Sequence, residues 1–242
     1  MQLDFSYLVR TFWLCVKAIP VTLEITIVSL LLAVIPALVI ALCRILHIKV
    51  LEQRGRIFVS FIRGTPMVLQ ILIVYSIMPS LLNSFVKKTG LSINVFELNP
   101  IIYAFIVFGL NSAATLSEVF RSAISAVPKG QVEAALCAGL TPFQTFRRIV
   151  LPQAAVSALP NLCSITVILI KNTSLAFMMT VREITAVAKI EAAYGYNYVE
   201  SYIDIFVIYI AVCLAIEFIF RKIEKRVVYK GIKTHRSFVR VR

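Results

Sequence analysis

Five apolar stretches, each about as long as a helix needs to cross the hydrocarbon of a bilayer, limit the fold of this 242-residue chain more than any other feature. At a rise of about 1.5 Å per residue, about 20 residues cover about 30 Å of hydrocarbon. The stretches are Ala18 to Cys43, Ile57 to Phe85, Leu98 to Ser117, Ile149 to Ile170 and Tyr202 to Phe220. Glu24 is the one charge inside the first, where Pro20 occupies the opening turn and Pro36 is expected to kink the interior. The second is uncharged only after Arg63, and the fifth is the weakest because Asp204 and Glu217 border its uncharged centre. With 60% hydrophobic and 15% charged residues, against about a quarter charged in soluble domains, the chain is predicted to be an all-α polytopic membrane protein. It is read as a single transmembrane domain over residues 1–242, not as a soluble or secreted globule.

Charge then orients the spans. The chain carries 25 Lys and Arg against 12 Asp and Glu, a formal net charge of +13. Five, four and nine of the basic residues fall in Arg44 to Arg63, Arg121 to Arg148 and Arg221 to Arg242, segments that share one side if five helices cross in turn. The positive-inside rule puts that side in the cytoplasm, with the N-terminus outside and the C-terminus inside. Read this way, the basic excess anchors the protein to anionic lipid and does not bind nucleic acid. Cys15, Cys43, Cys137, Cys163 and Cys213 are scattered in apolar sequence without CxxC or histidine spacing, which predicts no disulfide framework and no metal site. Asp4, Arg10 and Lys17 in the first residues do not resemble a cleavable signal.

The connection between spans three and four carries the densest information. From Val127 to Ala154 it reads VPKGQVEAALCAGLTPFQTFRRIVLPQA. Gln131 to Ala138 is predicted helical, with Gly139 as its left-handed terminator. Thr141 then offers an N-cap, Pro142 the first helical position and Gln144 the third residue of a capping box, so a second helix restarts at once. Leu136, Leu140, Phe143, Phe146 and Val150 recur at spacings of three and four, leaving Gln144, Arg147 and Arg148 on other faces. Physics alone allows two readings: a helix lying among headgroups, or a rigid knob that docks on a soluble partner.

The motifs decide between them. Glu133-Ala134-Ala135, Gly139, Ile149 and Leu151-Pro152 reproduce the EAA loop typical of permease subunits of bacterial ATP-binding-cassette importers. The chain more closely resembles the polar amino-acid uptake permeases, through IRGTP (Ile62 to Pro66) followed by Gln70, LNSAATLSEVFRSAI (Leu110 to Ile124), GQ-x-EAA (Gly130 to Ala135), LPQA (Leu151 to Ala154) and KNTSL (Lys171 to Leu175). The resemblance implies the type I importer permease fold, with a cytoplasmic coupling helix in the loop of about 127–148. It also implies two permeases, identical or homologous, two cytoplasmic ATPases docked on the coupling loops, and an extracytoplasmic solute-binding protein in a bacterial cell membrane. Glu133, Ala134, Ala135, Gly139 and Arg147 would take part in ATPase coupling. The chain would be non-catalytic and hold no cofactor, ATP and magnesium being used by the partner; its sequence has no phosphate-binding G-x(4)-GK[ST] loop. Importers of cystine, glutamine, arginine and histidine share this framework, and the sequence does not choose among them.

Polar residues inside the spans are the candidate substrate path: Glu118, Arg121, Lys171, Thr173, Ser174, Thr22 and Gln70. Intramembrane charge is costly and tends to be functional. Each has a bland alternative: Glu118 and Arg121, three apart on one helix face, as a mutually satisfied pair, and Lys171 as a cation on the last carbonyls of a helix. Thr115 stands where relatives usually have tyrosine. Arg63 to Pro66 is read as a structural break at the start of span two. His47 and His235 are not credible catalytic or metal residues. Two other classes stay open at this stage, a membrane scaffold without a path, and a channel or half of a secondary transporter that needs no ATPase.

Overall fold

The computed structural model describes residues 3–89 and 94–239, with side chains described as far as residue 227. Its helices are α1 (Phe5–Lys17), α2 (Ile19–Ile45), α3 (Lys49–Gly64), α4 (Met67–Thr89), α5 (Ile101–Ser125), α6 (Lys129–Cys137), α7 (Pro142–Thr145), α8 (Leu151–Asn172), α9 (Ile184–Gly195) and α10 (Tyr198–Val239). No strand occurs among the described residues. Five helical stretches are long and apolar enough to cross a membrane: Phe5–Ile45, Met67–Thr89, Ile101–Ser125, Pro142–Met179 and Tyr198–Val227. The expected number of spans is therefore present, but several boundaries move.

A separate helix, α1, precedes residue 18, so the helical stretch that holds the first span begins earlier than expected. Asp4 caps α1 by accepting hydrogen bonds from the backbone N–H groups of Ser6 and Tyr7, at 3.0 Å each, and Lys17 sits in the last turn, where a cation suits the dipole. The charges at Asp4, Arg10 and Lys17 hid this helix in the hydropathy. Pro20 lacks an N–H and crowds the carbonyl four residues back, which accounts for the break between α1 and α2 at Ala18. Pro36, by contrast, lies within α2, which continues through it.

The second span begins at residue 67, not 57. Pro66 excludes Thr65 from helical geometry, and Thr65 is extended (φ −110°, ψ 141°). The residues from Lys49 to Gly64 form a separate amphipathic helix whose buried face is Gly55, Val59 and Ile62. A Cβ on Gly55 would stand 3.1 Å from Ile40 Cγ2, so a larger residue there requires the Ile40 side chain to give way at the α2–α3 contact. His47 turns the chain before α3 with φ 52°. Burial pushes the Glu52 carboxyl up, but His47 and Arg56 outweigh it and hold it below its ordinary range.

The third span runs past Glu118 and Arg121 to Ser125, the fourth is continuous with α7 through a π-helical turn at Phe146–Val150, and α10 extends past both acidic borders of the fifth. His235 and the basic residues beyond 227 lie outside the described side chains.

Packing follows the logic of a bilayer, where lipid is as apolar as leucine and close backbone approach replaces the hydrophobic drive. Ser29, Ala33, Ala37 and Ala41 recur every fourth residue of α2 and are all fully buried. They meet Ala113, Leu116 and Gly109 of α5. A larger core joins Ile25, Ile71, Tyr103, Phe108 and Met179, and another joins Cys15, Ile170, Ile184 and Ile208. Big apolar side chains such as Leu31, Ile35, Phe206 and Leu214 point outward, as lipid permits.

Candidate functional sites: the α6–α7 knob and the polar face of α5

The α5–α8 connection is built as the sequence predicts. Gly139 takes φ +82°, its N–H donates to the Leu136 carbonyl at 3.0 Å, and the Leu140 N–H donates to the Ala135 carbonyl at 3.1 Å. This pair of bonds closes α6 in a Schellman motif. Two residues on, Thr141 Oγ1 accepts from the Gln144 N–H at 3.3 Å while Gln144 Oε1 accepts from the Thr141 N–H at 3.0 Å, so the capping box is complete.

A bond that the sequence did not suggest ties this element down. Gln153 Nε2 donates to Gln131 Oε1 at 2.6 Å and to the Ile149 carbonyl at 2.9 Å, linking the GQ-x-EAA and LPQA segments. Val127, Val150, Ala154 and Ala158 form a core beneath, with Phe146 and Val132 against it. The apolar stripe is thus divided. Val150 is buried and Phe146 half-buried, whereas Leu136 and Phe143 face outward with Glu133, Ala134, Gly139, Arg147 and Arg148. Ala135 packs inward. A Cβ on Gly139 would meet no heavy atom within 4 Å, so the outer face of the turn is open.

The second site lies on the α5 face that the other helices leave partly uncovered: Asn111, Thr115, Glu118 and Arg121. Glu118 is doubly paired. Arg121 donates to Oε2 through Nε at 3.1 Å and Nη2 at 2.9 Å, and Arg44, from the last turn of α2, donates to Oε1. Two guanidiniums against one carboxylate leave this point of the bundle with a positive surplus. Sequence spacing revealed Arg121 but not Arg44, because the latter reaches Glu118 only through the parallel packing of α2 and α5.

Of the other candidates, Gln70 is at this face but is engaged locally. Its amide donates to the Ile62 carbonyl at 2.7 Å, the Thr65 carbonyl at 3.1 Å and Thr65 Oγ1 at 2.8 Å, sealing the α3–α4 break. Its Oε1 faces Asn111 Nδ2 at 3.5 Å. Thr22, Thr173, Ser174 and Lys171 are not brought to this face. Thr22 is fully buried in α2. Thr173 Oγ1 donates to the Ile170 carbonyl at 2.6 Å and Ser174 Oγ to the Lys171 carbonyl at 2.7 Å, so both hydroxyls finish α8. Lys171 is exposed at the opposite end of the bundle, between α8 and α10.

One buried acid was not singled out from sequence. Glu183 is fully buried and caps α9, accepting from the Thr185 and Ala186 N–H groups at 2.8 Å each and from Tyr209 Oη at 2.9 Å. Burial pushes its carboxyl up to about 7 despite those donors. An acid immediately before the ITAVAKI run is the signal that would have found it. Among the described residues no cluster of His, Cys, Asp and Glu fits a metal.

These two sites and five spans define a membrane component of a transport system. The chain belongs to the family of binding-protein-dependent transport system inner membrane components, whose sequence model matches residues 30–229. It is 38% identical over 210 residues to the L-cystine transport system permease protein TcyL of Bacillus subtilis, covering 86% of this chain and 85% of that protein. It is 35% identical to the probable amino-acid permease protein YxeN of the same organism (86% and 88% covered) and 30% identical to its arginine transport system permease protein ArtQ (93% and 98%). The fold matches a chain of the crystal structure of an amino acid ABC transporter with histidines at a TM-score of 0.77 and 27% identity, covering 93% of this chain and all of the other. A chain of the MetNI methionine ABC transporter matches at 0.69 with 21% identity and shares the fold, that of the type I importer permeases.

Proposed function

We propose that this chain is the permease subunit of an ATP-driven importer that moves a polar L-amino acid across a bacterial inner or plasma membrane. The α6–α7 knob carries this reading: an outward face of Glu133, Ala134, Leu136, Gly139, Phe143 and Arg147, held by a Schellman turn, a capping box and the Gln131–Gln153 bond. A helix stapled at both ends to spans passes a push from a soluble partner into α5 and α8 instead of absorbing it. The cystine and arginine systems named among the relatives support a polar amino acid as cargo.

In this reading residues 1–242 act as one permease domain. It pairs with a second permease, docks two ATP-binding-cassette subunits on the knobs, and receives substrate from an extracytoplasmic binding protein. ATP and magnesium belong to the ATPases, and the chain itself catalyses nothing. The clustering of basic residues at the knob end supports a cytoplasmic C-terminus and an outer N-terminus.

Glu118, Arg121 and Gln70, with Arg44, Asn111 and Thr115, line the lower part of the path. Because Glu118 already has two cationic partners, the surplus there attracts a substrate carboxylate more than an ammonium. Lys171, Thr173, Ser174 and Thr22 have no part in this lower section. The test is reconstitution of the permease with its ATPase and binding protein in liposomes. Uptake of a radiolabelled polar amino acid that requires ATP and the binding protein is expected; ATP-independent flux through the permease alone overturns the reading.

A further inference from the structure

Between α8 and α10, at the end of the bundle opposite the knob, runs a groove of about 580 Å³. One wall is Tyr202, Phe206, Ile210 and Leu214 of α10, and its head is Lys171 with Ser174. We infer that this groove binds an anionic glycerophospholipid, phosphate on the Lys171 ammonium and one acyl chain along α10.

Depth supports this first. From Arg148 to Lys171 a helix rises about 35 Å, slightly more than the hydrocarbon thickness of about 30 Å. Lys171 therefore stands at headgroup level when Arg148 stands at the other. Tyr194, Tyr196, Tyr198 and Tyr202 are all exposed at the same end, the position of an interfacial aromatic belt. From Tyr202 to Leu214 the groove follows α10 for about 18 Å, toward the middle of the bilayer, with walls that are almost wholly apolar.

Charge supports it second. Lys171 joins none of the ion pairs among the described residues. A second groove of about 440 Å³ continues between the same helices toward the knob end, and there Glu217 and Glu224 outnumber Arg221, whose guanidinium stands 3.6 Å from Glu217. Within the two grooves, the lining thus offers an anionic headgroup an ammonium at the Lys171 end and an excess of carboxylates at the other, which favours one orientation of the lipid. A free amino acid fits less well, since no carboxylate lines the groove to receive its ammonium. The inference rests on the spans and on Lys171, not on the transported cargo.

The experiment uses the assembled transporter in nanodiscs of mixed phosphatidylglycerol and phosphatidylcholine, with a photoactivatable analogue of either lipid. Cross-links are mapped to the tryptic fragment 190–221, which contains the groove wall. Phosphatidylglycerol is expected to label it preferentially. Lys171→Gln should cut the preference about fivefold, the effect of one basic residue at a membrane surface, while Lys171→Arg retains it. Ile210→Trp, which fills the groove and leaves the charge, should lower labelling by both lipids. An unchanged preference in Lys171→Gln overturns the inference, as does cross-linking of a photoreactive residue at position 210 to the second permease. Displacement of the lipid label by saturating polar amino acid overturns it as well and returns Lys171 to the substrate path. Uptake in liposomes is scored separately, so loss of lipid selectivity with intact transport, or the reverse, keeps this inference distinct from the proposed function.

Discussion

Arg44, in the last turn of α2, donates to the Glu118 carboxylate on α5, seventy-four residues away in sequence. The same carboxylate takes Arg121 from its own helix. A double-mutant cycle with Arg44→Gln and Glu118→Gln should give a coupling of about 1–2 kcal/mol in thermal stability, as for neighbours in one charged network. Glu118→Gln alone leaves two guanidiniums uncompensated and should also lower uptake at least about tenfold, equivalent to about 1.4 kcal/mol. With the path as proposed, the double variant keeps Arg121 and with it the positive surplus of the wild type, so both stability and uptake should recover. Recovered stability with uptake still low would show that this surplus does not receive the substrate.

At Gly139 the backbone and the proposed partner contact separate cleanly. The left-handed φ makes Gly139→Ala cost about 1 kcal/mol, and Gly139→Asn less, because asparagine tolerates that region. A Cβ at this position meets no heavy atom of the chain within 4 Å. Gly139→Asp should therefore leave a folded, inserted permease with substrate-stimulated ATPase reduced at least about tenfold. Normal stimulation in reconstituted Gly139→Asp complexes would remove this turn from the ATPase interface.

Glu183 gives the fold a pH signature. Its carboxyl ionises near the ordinary 4.5 when unfolded and at about 7 when buried, so between those values the folded state holds a proton that the unfolded state has released. Stability from this group is complete below about 4.5 and falls as pH rises to about 7, with no further change above. The apparent Tm of the purified protein should drop across that window. In Glu183→Gln the part of the drop that belongs to this group should vanish, while titrations common to both proteins cancel in the difference. Tyr209→Phe removes a donor to the ionised form and should extend the falling limb to higher pH. An identical pH slope in wild type and Glu183→Gln would contradict the assignment.

Orientation is tested with single cysteines. With Cys137 as the sole native thiol, and Lys88→Cys in a cysteine-free background, an impermeant maleimide applied to intact cells should label position 88 and not 137. Cys137 should react only after permeabilisation. Labelling of both from outside would reverse or abolish the proposed topology.

Sequence alone determined what depends on local chemistry. The five spans follow from runs of apolar residues, since a backbone in hydrocarbon must satisfy its own hydrogen bonds and a helix does so within itself. The turn at Gly139 and the capping box at Thr141 follow from residue types a few positions apart. Even the failures at residues 5–17 and 57–66 were local: capped charges masked α1, and the conformational limit that Pro66 imposes on Thr65 outweighed apolar continuity. What needed tertiary structure is whatever joins distant segments. Arg44 reaches Glu118, Gln131 meets Gln153, and Tyr209 meets Glu183 only after helices pack through the Ser29–Ala33–Ala37–Ala41 seam and its neighbours. Packing also separated candidates that sequence had grouped, leaving Glu118 on the uncovered face of α5 and placing Lys171 in a groove at the other end. Helix periodicity tells which residues share a face, but which faces are buried, and against what, depends on contacts between residues far apart in the chain.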